Sequence, residues 1–121
     1  MSRDHRKLRV FEVADGLVVD VYRATQSLPP EERYGLQSQL RRAAVSAVVN
    51  IVEGCARRTT RDYMHFLSVS LGSASEARYL LELTVRLGFL SEAAREPLEP
   101  RFRELVRGLQ KLIDALESRD P

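Results

Sequence analysis

Few side chains in this 121-residue chain combine the type and spacing that bond-making chemistry needs. Asp62-x-x-His65 is the nearest thing to a metal-ligand pair. A di-metal centre in a helical bundle needs two Glu-x-x-His pairs on facing helices, and this chain has none. No metal site is expected. His5 stands in what reads as an N-terminal tail. Cys55 is the single cysteine, with Arg57 and Arg58 close behind it. Positive charge at that distance can lower a thiol pKa, but a small residue filling a helix end is the preferred reading. There is no glycine-rich phosphate loop of the P-loop or dinucleotide-binding kind. No catalytic residue and no cofactor are assigned, and a non-enzyme is expected.

Polar and basic residues offer binding chemistry instead. Ser46, Asn50 and Glu53 are four and three residues apart and share one helical face. Ser70, Ser73 and Glu76 repeat that kind of spacing. A buried polar group without a partner is costly. Ser46, Asn50, Glu53, Ser73 and Glu76 are therefore expected to bond across a helix–helix contact as a structural network. Gly72-Ser73-Ala74-Ser75 is small enough for close backbone approach there.

Net charge is only +2, but residues 1–9 carry +3 and residues 41–61 carry +4. Lys7 and Lys111 are the only lysines; the other 17 basic residues are arginine, whose fork matches phosphate and carboxylate. Arg3, Arg6, Lys7 and Arg9, with Arg57, Arg58 and Arg61, are the candidate nucleic-acid contacts. The plainer reading of Arg57 and Arg58 is a solvated helix end favoured by the dipole. Tyr63 stands near enough to offer a stacking surface, although its helical position suits core packing. Arg41 and Arg42 are expected to pair with acids on a neighbouring helix or subunit.

Four helical blocks position these residues. Pro29-Pro30, Gly54, Gly88 and Pro97 with Pro100 punctuate the chain, and apolar residues recur at helical spacing between them. The first block runs from about Phe11 to Leu28, with Gly16 inside it for a packing reason. The second runs from Glu31 to Cys55, and the third from Thr59 or Thr60 to Gly88, with Asp62 completing a capping-box-like start. A fourth ends near Ser118. Ser91 can cap a turn before it, and the prolines predict either a kink or a start near Pro97. Helices this long with short connections predict an all-α, up-down-up-down antiparallel four-helix bundle. The expected domains are a basic tail at 1–9, the bundle at 10–118 and a C-terminal tail at 119–121.

Within the second block, residues 43–52 are apolar nearly all round. A surface helix has a polar face. Val45, Val48, Val49 and Val52 point away from the stripe Leu36, Leu40, Ala43, Ala44, Ala47 and Ile51, so a second subunit is expected to cover them. This is the argument for a homo-oligomer. No apolar run reaches the roughly 20 residues of a membrane span, the basic start lacks a secretory apolar region, and one cysteine suits a reducing cytoplasm.

Tyr34-Gly35-Leu36-x-Ser38-Gln39-Leu40-Arg41-Arg42-Ala43-Ala44-Val45-Ser46 and Asn50-Ile51-x-Glu53-Gly54 carry a resemblance. Tyr63-x-x-Phe66-Leu67, Gly72-Ser73-x-x-Glu76 and Leu87-Gly88-Phe89-Leu90 extend it. The chain resembles the four-helix-bundle proteins of 23S rRNA intervening sequences. The resemblance implies a small cytoplasmic bacterial bundle, ring-like and pentameric, without an established enzymatic activity, and with RNA or DNA as the partner suggested by its genetic setting. A protein partner recruited to a scaffold is the alternative. A fold-level likeness extends to the accessory variability protein of diversity-generating retroelements. Two departures from the family pattern are Val48, where a proline is usual, and the pair Pro97 and Pro100.

Overall fold

The computed structural model describes residues 3–119. Four long helices and one short one make up α1 (Arg9–Thr25), α2 (Leu36–Cys55), α3 (Thr60–Arg86), α4 (Glu92–Arg95) and α5 (Glu99–Arg119). Single 3-10 turns cover His5–Lys7 and Pro30–Glu32. There is no strand among the described residues, and no helix there is long and apolar enough to cross a membrane.

The main contacts join α1 to α2, α2 to α3, α3 to α5 and α5 back to α1, so α2 and α5 stand diagonally across the bundle. The core fills from all four long helices, with Leu17 and Val21, Leu40 and Ile51, Leu67 and Leu81, and Phe102, Leu105 and Leu109 almost fully buried. Burying each such side chain is worth about 1.5–3 kcal/mol relative to leaving it in water. Leu87, which the third block's apolar spacing would place inward, is exposed. It lies past the last helical residue, at the C-cap.

Helix ends follow the local chemistry. Thr59 Oγ1 accepts the Asp62 backbone N–H at the start of α3. Gly88, at φ 82°, closes α3: its N–H bonds the Val85 carbonyl, and the Phe89 N–H bonds that of Thr84. This is the αL stop that glycine accepts most readily. Ser91 caps the short α4, and α5 starts beyond Pro97. Pro97 thus lies between two helices, and Pro100 sits in the first turn of α5. α2 runs unbroken through Val48, without the kink a proline would have caused.

Four expectations about the first half of the chain need correction. Residues 3–9 do not trail as a tail. The Arg3 N–H bonds the Cys55 carbonyl at 2.7 Å, His5 packs edge-on against Phe11, and α1 already begins at Arg9. α1 stops at Thr25, not Leu28, because Arg41 and Gln37 of α2 take over its end. Arg41 Nε donates to Thr25 Oγ1, Arg41 Nη2 to the Tyr22 carbonyl and Gln37 Nε2 to the Thr25 carbonyl. Carbonyls that a helix end leaves open are thereby satisfied. Arg41 accordingly has no acidic partner among the described residues; its guanidinium also lies 4.4 Å from the Tyr22 ring centre. Arg42 likewise meets Ser38 and no acid among the described residues. α2 begins only at Leu36, after the 3-10 turn. At the other end Arg119 is the last residue of α5, and the remainder of the expected C-terminal tail, 120–121, lies outside the described residues.

Candidate nucleic-acid interface

The α2–α3 turn and the docked segment 3–8 form one end of the bundle. Close approach there depends on Gly54. A methyl group at that position would lie 3.1 Å from Phe66 Cβ and 3.2–3.3 Å from Tyr63. Cys55 and Tyr63 are buried beneath the segment, and Arg3 lies 4.0 Å above the Tyr63 ring with Nη2 near Thr60 Oγ1. Burial pushes the Cys55 thiol pKa up and raises that of Tyr63 to about 12. Cys55 is therefore not an activated thiol, and Tyr63 is a core residue with no face free for a base.

The seven basic candidates divide sharply. Arg3 is half-buried on Tyr63. Arg6 forks onto Asp4, whose carboxyl it holds below the usual range. Arg9 reaches Glu104 at 2.8 Å and Glu12 at 3.1 Å. Arg57 pairs with Glu53 at 2.6 Å and covers the Phe66 ring. Lys7, Arg58 and Arg61 are exposed and have no acidic partner among the described residues. Arg58 follows the α2 C-terminus, where the dipole favours a cation. Arg61 stands in the first turn of α3, where the dipole opposes one. Its position has no helix-stabilising reason.

The polar network forms in part. Ser46 Oγ and Ser73 Oγ are 2.8 Å apart, and Asn50 Nδ2 donates to the Ser46 carbonyl and hydroxyl. Ser70 Oγ donates to the Ala47 carbonyl at 2.6 Å, buried between α2 and α3. Glu53 is drawn off by Arg57, and Glu76 is exposed with no hydrogen bond among the described residues. Both carboxylates gain more from water or an arginine than from a half-dry helix contact. Gly72 does not serve close approach either, since nothing lies within 4 Å of its added methyl position. Gly16 does have its packing reason: Arg101 crosses it to reach Asp20.

With this geometry in view, the chain matches the family described as 23S rRNA-intervening sequence protein over residues 6–111. The chain belongs to the 23S rRNA-intervening sequence protein family. A solved structure with the same fold is that of a protein with unknown function from the S23 ribosomal protein family of Bacteroides thetaiotaomicron. It is 21% identical, with a TM-score of 0.77 over 86% of this chain and 97% of that one. Among curated proteins there is no significant match.

In this family member the valine face is graded. Val49 is 46% and Val52 36% exposed, Val45 is half-buried, and Val48 packs against the chain's own core. Val19 and Tyr22 of α1 are also exposed. Of the four valines expected to point away from the core stripe, Val49 and Val52 are exposed, whereas Val45 and Val48 are half-buried.

Proposed function

We propose that this protein is a non-enzymatic, cytoplasmic homo-oligomer that binds RNA or DNA as an accessory factor. The observation that carries the reading is the trio Lys7, Arg58 and Arg61, exposed at one end of the bundle with no salt bridge among the described residues. Free cations beside one another attract phosphates and release counterions on binding. The contact pairs among the four long helices support an up-down-up-down order, which gathers these residues at one pole. Val49 and Val52 support assembly through α2, into a ring of the pentameric kind, with the basic poles aligned on one face. A lone buried cysteine suits a reducing compartment.

The exposed apolar group Val19, Tyr22, Val49 and Val52 favours a second reading, a scaffold that recruits another protein without touching nucleic acid. Fluorescence titration of structured RNA and duplex DNA with wild type and with a Lys7→Glu/Arg58→Glu/Arg61→Glu variant separates the two. The nucleic-acid reading expects the variant to lose most of the binding. Wild-type binding that the triple change leaves intact removes the pole from the account.

A further inference from the structure

We propose that α5 carries a second phosphate track, built by Arg103, Arg107 and Lys111, which lays a nucleic-acid strand along the outside of the bundle. This rests on the nucleic-acid reading above. The three residues are spaced four apart, so they form one line with about 6 Å of rise between neighbours. All three are exposed, and all three line one open groove of about 400 Å³ together with Pro100, Glu104 and Gly108.

Helical cations at such positions ordinarily pair with acids three or four residues away. Here every such acid is committed or turned elsewhere. Glu99, four before Arg103, is held by Arg78 at 2.6 Å and approached by Arg95. Glu104, three before Arg107, is held by Arg9, which keeps its carboxyl below the usual range. Asp114, three after Lys111, accepts from Gln110. None of the three cations has a salt bridge among the described residues. Like charges four apart on a helix destabilise it, so the line opposes folding and asks for an anion.

Laid along a duplex axis, a line of about 12 Å spans three or four phosphates of one strand, at about 3.4 Å of axis each. The arginine forks match phosphate oxygens. α5 lies diagonally from α2, so this ridge and the valine face are on different sides of the bundle. The strand would cross the α5 face while the pole holds its end.

The test is an anisotropy titration of a short fluorescent single strand and of the same duplex, between roughly 50 and 200 mM salt. It uses wild type, Arg103→Gln/Arg107→Gln/Lys111→Gln and Arg58→Glu/Arg61→Glu. The α5 variant is expected to bind more weakly and to lower the slope of log K against log salt by about 2–3. Its thermal midpoint should equal or exceed that of wild type, because repulsion is relieved. Arg107→Gln alone should lower the slope by about 0.7–0.9, which keeps the test open if the triple variant fails to fold. An unchanged slope in the α5 variants, with binding lost in Arg58→Glu/Arg61→Glu, overturns the ridge and leaves the pole. No binding by wild type at the lowest salt removes both. Tighter wild-type binding to a poly-glutamate peptide than to either nucleic acid also overturns the ridge.

Discussion

Tyr63 shows what one residue contributes to this end of the molecule. It is 2% exposed, lies under Arg3 and packs where Gly54 lets α2 and α3 meet. The fold accepts its neutral form, and burial raises its pKa from 10.0 to about 12. Below pH 10 the residue is protonated whether the chain is folded or not, so it gives no pH dependence there. Between about pH 10 and 12 the unfolded chain loses a proton that the folded chain keeps, and stability falls as pH rises. Urea denaturation at pH 8 and pH 11 should therefore show wild type losing about 1 kcal/mol more than Tyr63→Phe. Equal losses would contradict this burial. Its place on the α3 stripe was legible from spacing alone. Its cover was not, because the Arg3 contact spans about sixty residues of sequence and leaves no local pattern.

At the level of the element, α2 is the helix whose sequence says most. Its core stripe, Leu40, Ala43, Ala44, Ala47 and Ile51, is buried as the periodicity requires. Its outer side is only partly covered, and Val49 and Val52 remain in solvent. Light scattering at micromolar concentration should find wild type as a multimer and Val49→Asp/Val52→Asp as single, helical chains. A wild type that scatters as one chain would contradict the assembly. Helix ends were harder to read than helix faces. Leu28 continues the apolar spacing of α1 and is buried, yet it sits in the connection after Thr25. Periodicity reports burial and cannot tell a last helical turn from a packed loop. The shared face of Ser46 and Asn50 was legible, whereas the loss of Glu53 to Arg57 was a competition between partners that spacing does not rank.

For the whole molecule, summed charge overstates the basic end. Residues 1–9 carry +3 with Asp4 already counted, but Glu12 and Glu104 engage Arg9, and Glu53 engages Arg57. Exposed cations without a salt bridge among the described residues include the pole with Lys7, Arg58 and Arg61 and the ridge on α5, and also Arg23, Arg33, Arg42, Arg86 and Arg119. Four helical blocks and their core could be read from the chain because they depend on near neighbours. The distribution of free charge could not, since it depends on which arginine reaches which acid across the bundle. The direct measurement is the affinity of wild type for duplex DNA and structured RNA over a salt series. Binding is expected at about 50 mM salt, with log K falling linearly with log salt. Absent binding at low salt, or an affinity that salt leaves unchanged, would contradict the nucleic-acid reading.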